Sequence, residues 1–221
     1  HGSEDAFQKL CQKLPVSAFA EASRPAAQPY TEPLPQPVNE AFIIDGGVSY
    51  DVQSWPMERQ ASRRVLARVM SYEYLWHEIR EVGGAYGTGM LADETAEALY
   101  TYRDPQMKQS YETFAKGPAA LVQHSFTEAD LTELIVGAAA KLDTPLKPCQ
   151  EAKEADRRYF CGITDAMIAA DRQALCQMNV ETLHQQAAAL EQEMAVGTRV
   201  AFGPREAVEA AKELFDRVEQ L

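Results

Sequence analysis

The run Tyr74-Leu-Trp-His-Glu-Ile-Arg-Glu-Val-Gly-Gly-Ala-Tyr-Gly-Thr-Gly89 obliges a helix to stop and a strand to begin within a few residues. Before it, Val65, Val69, Tyr72, Trp76 and Ile79 recur at steps of four, three, four and three. That spacing predicts a helix with one apolar stripe. Gly83 and Gly84 then stop the helix and Tyr86 opens an extended run. Arg80 falls in the last helical turn, where the helix dipole favours a cation. A guanidinium and a phenol therefore flank one backbone break.

The rest of the chain alternates strand and helix patterns. Glu4 to Leu14 reads as a short amphipathic helix ended by Pro15. Five prolines between Arg24 and Pro37 remove backbone donors and favour an extended linker or surface strap. Glu40 to Trp55 is strand-like: an apolar Ala41-Phe-Ile-Ile run, a turn at Gly46-Gly47, and an alternation over 48–53 that predicts one buried face. Ala85 to Ala92 and Ala98 to Arg103 read as paired strands. Asp104-Pro105 reads as an N-cap and first helical residue, with the helix running to about Lys116 and closed by Gly117-Pro118. Thr127-Glu-Ala-Asp130 has capping-box form, and Pro145 and Pro148 separate its helix from Glu151 to Phe160. Thr164 to Met194 is one long helix or two nearly continuous ones, Thr198 to Phe202 a short strand, and Val208 to Leu221 a closing amphipathic helix. This order suits an α+β, two-layer architecture, a sheet with helices on one face.

Charge and composition exclude several functions. Lys and Arg number 21 against 33 Asp and Glu, a net of −12 that opposes phosphate backbones, so nucleic acid is not an expected partner. The same acidity suits either plain solubility or the attraction of cationic peptides. No apolar run approaches the roughly 20 residues that span a bilayer, so no membrane partner is expected. Cysteines 11, 149, 161 and 176 form no C-x-x-C and read as reduced thiols in a cytoplasmic setting. His1-Gly2-Ser3 reads as a tag remnant, making 4–37 an N-terminal helix and linker and 38–221 the main domain.

Hydrolytic machinery is missing from the pattern. His77 begins His-Glu-Ile-Arg-Glu, which fails H-E-x-x-H at Glu81 and H-x-x-E-H at Arg80 and Glu81. His124 and His184 have no second histidine nearby, and no G-x-S-x-G occurs. His77 then reads as a polar neighbour on the motif helix. No metal ligand set and no catalytic residue is expected in this chain.

Trp76-x-x-Ile-Arg80-x-x-Gly-Gly-Ala-Tyr86-Gly87, followed by Thr101-Tyr-Arg-Asp-Pro105, resembles the C-terminal half of insulinase (pitrilysin-type) zinc peptidases, in particular the presequence-protease and falcilysin subgroup. Thr101 stands where that pattern often has serine, keeping the hydroxyl. The likeness covers roughly Val38 to Leu221 and implies an antiparallel sheet with helices packed on one side. It also implies a metal-free domain that closes over a separate zinc-bearing N-terminal half and holds peptide substrates. Zinc would belong to the parent enzyme and not to this chain. Arg80 and Tyr86 would be substrate-binding residues, whereas Arg103 and Asp104 would mark the fold. From the residues alone, Arg80 equally serves as a helix cap or a partner of Glu78 or Glu81, and Tyr86 as an ordinary strand aromatic. A non-catalytic scaffold or binding subunit of the same fold also stays open.

Overall fold

A computed structural model describes residues 3–13, 36–142 and 144–221. The proline-rich segment expected as a linker lies almost wholly outside them. The elements are α1 (Glu4–Lys13), β1 (Glu40–Ile43), β2 (Tyr50–Pro56), α2 (Arg63–Val69) running directly into a π-helical segment (Met70–Val82), β3 (Gly87–Ala92), β4 (Ala96–Tyr102), α3 (Met107–Gln123), α4 (Glu128–Leu142), α5 (Pro148–Cys161), α6 (Asp165–Cys176), α7 (Val180–Ala195), β5 (Thr198–Gly203), α8 (Arg205–Ala210) and β6 (Arg217–Gln220). Two compact units divide the chain: Pro37–Thr144 with Asp165–Leu221, and His1–Gln36 with Pro145–Thr164. In the second, α5 starts on Pro148, turns out at Gly162 with φ +68, and pairs Glu154 with both Arg157 and Arg158.

The larger unit is the expected two-layer α+β body. Its strands lie in the order β3-β4-β2-β5-β1-β6. The β3-β4-β2-β5 part is antiparallel, and β1 then runs parallel to both β5 and β6. Alternation puts Asp51, Gln53 and Trp55 of β2, and Glu97, Leu99 and Thr101 of β4, on the buried face. Val48, Tyr50 and Val52 remain only partly covered, so the buried register of β2 is largely polar.

Two polar assemblies occupy that face, and the first locks helices to its register. Arg63, 2% exposed, donates from Nε to Glu97 Oε1 at 2.7 Å and from Nη2 to Glu97 Oε2 at 2.5 Å. The same nitrogen reaches Glu193 of α7, and Trp55 Nε1 completes Glu97 at 3.1 Å. Deeper along β2, the fully buried Asp51 accepts from Ser49 at 2.7 Å and Thr101 at 2.6 Å. Asp51 Oδ1 and Asp104 Oδ2 have no partner among the described residues. Burial pushes the Asp51 carboxyl up to about 7, against the pull of the Thr101 and Ser49 hydroxyls and with the help of neighbouring Asp104.

Four local expectations are corrected. Asp104 does not cap the next helix: its Oδ1 takes the Gln106 N–H at 2.7 Å in a turn, and α3 begins at Met107. Nor does Gly117-Pro118 end α3, which continues to Gln123 because Gly117, Pro118 and Leu121 are buried and Gly117 lets Met70 approach. The buried stripe over 65–79 includes Leu75, while Tyr72 is 51% exposed. The i→i+5 hydrogen bonding of the π segment rotates later residues out of the α-helical phase. Finally, the closing helix is short, and 217–220 form a parallel edge strand. Asp216 holds that strand through Asn39, whose N and Nδ2 donate to its carboxylate at 3.1 and 2.9 Å. The 164–194 run does form two helices, separated by the Asn179 cap of α7.

Losing Glu97 alone strands a buried cation. Glu97→Ala is expected to lower unfolding free energy by about 3–5 kcal/mol in urea titration, and adding Arg63→Met to recover part of that loss; equal values for the single and double variants would deny the pair its role. Asp51 titrates in the opposite sense to a paired carboxylate. Its raised folded pKa contributes stability that is complete below about pH 4 and is lost as pH rises through about 7. Asp51→Asn should therefore gain on the wild type by about 2–4 kcal/mol between pH 4 and pH 8. Parallel stability curves for the two proteins would exclude this account.

Candidate functional site

The Gly-Gly corner is built as its sequence requires. Gly83 and Gly84 N–H groups bond the carbonyls of Glu78 and Arg80 at 3.0 and 3.1 Å, and Ala85 N bonds Ile79 O at 3.0 Å, closing the π segment. Gly84 has φ +82, and a Cβ on Gly83 would lie 2.5 Å from Ile79 O, so neither position accepts a side chain without strain. Tyr86 N then bonds Arg103 O at 3.3 Å, which brings the chain alongside β4. Arg103 itself has φ +53 and makes no ion pair among the described residues, so it contributes to the corner through its backbone carbonyl.

The corner brings Arg80 and Tyr86 together. The Arg80 guanidinium carbon stands 4.1 Å from the centroid of the Trp76 ring and 5.8 Å from that of Tyr86. Neither Glu78 nor Glu81 pairs with it: both carboxylates turn to His77, whose Nδ1 lies 3.0 Å from Glu81. Among the described residues no carboxylate lies within ion-pair distance of Arg80, and Tyr86 is 65% exposed. Arg80 therefore keeps its donors available while the rings hold its plane.

This pair belongs to a longer stack. Steps of four along α2 and the π segment place the Arg68 guanidinium 4.8 Å from the Tyr72 ring, and Tyr72 6.1 Å from Trp76. Beyond Arg80 the series continues through Tyr86 to Tyr102 at 5.9 Å and Tyr50 at 5.4 Å. The stack borders a groove of about 740 Å³ lined by α2, the π segment and the β3–β4 hairpin, and reaching Ala138 and Lys141 of α4. On the hairpin side β3 is the outermost strand of the sheet. The Met90 N–H is taken by Ser71 Oγ at 2.8 Å, which secures the π segment beside that edge. Ser71 thus covers the β3 edge at Met90, and the groove beside it presents the donors of Arg80 and Tyr86 to an extended chain.

The donors present do not fit a zinc ion. His77 is engaged by Glu81, which pushes its imidazole pKa up. His184 Nε2 contacts His124 O at 3.0 Å, and the His124 ring lies against Phe126 at 4.4 Å. Among the described residues no three His, Cys, Asp or Glu side chains gather closely enough to share an ion. The four thiols are free.

Sequence reasoning singled out Arg80 and Tyr86 but did not bring Arg68 and Lys141 to the same groove, and it assigned Tyr72 and Trp76 to the core. The available signal was Arg68-Tyr72-Trp76-Arg80 itself, cations and rings at a constant step of four.

Known proteins resemble this chain in sequence and in fold. A family model described as the PreP C-terminal domain matches residues 34–201, more than half of the chain. The mitochondrial presequence protease of Mus musculus is 33% identical over 124 residues, 56% of this chain and 12% of that protein. HypA of Clostridium perfringens is 23% identical over 189 residues, 83% of this chain and 19% of that protein. The chain thus spans less than a fifth of the length of these relatives. A protease from Helicobacter pylori has the same fold, with TM-score 0.64 and 15% identity over 92% of this chain and 53% of that one. The peptidase M16 inactive domain from Pseudomonas fluorescens gives TM-score 0.63 and 13% identity, over 92% and 51%. With residues 34–201 matched, this chain belongs to the PreP C-terminal domain family.

Proposed function

We propose that this domain is the substrate-holding, chamber-forming part of a zinc-dependent metalloendopeptidase whose zinc is carried by a separate N-terminal half. An extended peptide lies along the groove beside β3, and its backbone carbonyls accept hydrogen bonds from Arg80 and Tyr86. The single observation that carries this reading is the state of Arg80: it is stacked on Trp76, unpaired among the described residues, and directed to the groove together with Tyr86.

Chemically, the two residues suit positioning and charge stabilisation. Arginine offers fixed donors at permanent charge, and the phenol offers one donor on a rigid ring. Both gain strength when a bound peptide displaces water from the groove. Bond cleavage needs the metal centre of the other half, which activates water; no described residue of this chain is given that role.

In the full-length parent, Arg80→Ala or Tyr86→Phe is expected to lower turnover by roughly ten- to a thousand-fold with zinc content unchanged. Early melting with activity lost only in proportion to unfolded protein would instead assign both residues to the fold. This chain by itself is expected to cleave no peptide; zinc-dependent hydrolysis that disappears on mutating His77, His124 and His184 would reverse the division of labour.

A further inference from the structure

The groove is cationic in an acidic chain. Arg64, Arg68, Arg80 and Lys141 line it, against Asp93 and Glu97. Both oxygens of Glu97 are consumed by Arg63 and Trp55, and Asp93 Oδ1 accepts the Glu94 N–H at 2.7 Å. With Glu97 paired to Arg63, Asp93 is the one carboxylate of the lining without an ion pair among the described residues, against four lining cations. Arg64 reaches Glu94 only at 3.8 Å, and no described carboxylate lies within ion-pair distance of Arg68 or Lys141.

Arg68 stands in a built position. Its guanidinium lies over the Tyr72 ring and against Gly137 of α4, where a Cβ would come within 2.3 Å of Nε. Gly137 therefore makes the space this side chain fills. Nε is buried without an acceptor. The adjoining cleft on the other side of Arg68 carries Glu73, Asp130 and Glu133, yet none of them closes on it. Asp130 is instead held by Thr127 at 2.6 Å. Lys141 follows Gly137 by four residues on α4, so one helix supplies both the space for Arg68 and a second cation.

We infer that Arg68 and Lys141, with Arg64 beside them, form a carboxylate-binding subsite that takes an acidic side chain or the C-terminal carboxylate of a peptide whose backbone lies at Arg80 and Tyr86. This inference rests on the peptide-holding role and adds a preference for where negative charge sits along the bound chain. The Tyr72 and Trp76 rings lie between the two pairs and provide apolar surface for the intervening residues.

The test is equilibrium binding of synthetic decapeptides to this chain, read by Trp76 fluorescence, since Trp55 is buried. One peptide is neutral, with Gln and a C-terminal amide; a second replaces one Gln by Glu; a third is the Gln peptide with a free C-terminus. At low salt the second or the third should bind roughly ten-fold more tightly than the first, and the one that does identifies the source of the carboxylate. That advantage should shrink with added salt and disappear in R68Q/K141Q. Lys141 is exposed, so K141Q alone, with an expected loss of about three-fold in preference, judges the proposal should Arg68→Gln disturb the fold. Equal affinity for all three peptides, still weakened by Arg80→Ala, overturns the subsite and leaves the peptide-holding role intact. No binding of any peptide overturns both.

Discussion

The buried Arg63–Glu97 pair fixes the rest of the structure. The guanidinium of Arg63, at the start of α2, meets Glu97 of β4 and Glu193 of α7 at 2.5 to 2.7 Å, and Trp55 of β2 donates to Glu97 at 3.1 Å. Ions of this kind tolerate little displacement, because an unpaired charge in that environment costs several kcal/mol. The start of α2 is therefore pinned over a defined point of the β2–β4 ladder. Everything downstream inherits that register, including the turn on which Arg80 stands.

From that anchor the helix must reach the Gly-Gly corner while keeping two faces in use. Its inner face buries Val65, Val69, Met70, Leu75 and Ile79. Its outer row carries Arg68, Tyr72, Trp76 and Arg80 at the edge of the groove. An α-helical phase maintained throughout would have drawn Tyr72 and Trp76 toward the sheet, as the regular spacing from Val65 predicts. The change to i→i+5 bonding at Met70 turns them outward and substitutes Leu75 in the core. Ser71, at the start of that change, bonds the Met90 N–H and keeps the widened coil against β3. The altered helical phase and the exposed aromatic row are thus one structural event.

This division also explains what the sequence made legible. The helix stop, the strand after it and the nearness of Arg80 to Tyr86 were readable because glycines, dipole preference and chain continuity are all local. The capping box at Thr127 was readable for the same reason: Thr127 and Asp130 do exchange hydrogen bonds at 3.0 and 3.2 Å. The outward row was not, since steps of four and three mark a buried stripe and a cation–aromatic series alike until the π geometry chooses between them. Strand β6 was hidden more deeply. Val208, Ala211, Leu214, Phe215 and Val218 continue a helical spacing, and contacts with residues 177 positions away, Asp216 with Asn39 and Arg217 with Glu40, draw 217–220 into the sheet. The π-helical rephasing and a distant polar contact, neither visible in a short window, decided these two cases.

Charge operates on two length scales in this domain. A net of −12 produces a field that favours cations at a distance, but at physiological salt it fades over about 8 Å. Inside the groove the near neighbours dominate, and there the sign is reversed: Glu97 is neutralised by Arg63, while Arg68, Arg80 and Lys141 have no carboxylate within ion-pair distance among the described residues. A peptide that is basic overall and acidic at one position would satisfy both fields, being drawn by the surface and aligned by the groove. On the proposed reading, the net negative charge would attract such a peptide and the cationic groove would align it, so the placement of charge along the peptide would matter more than its total.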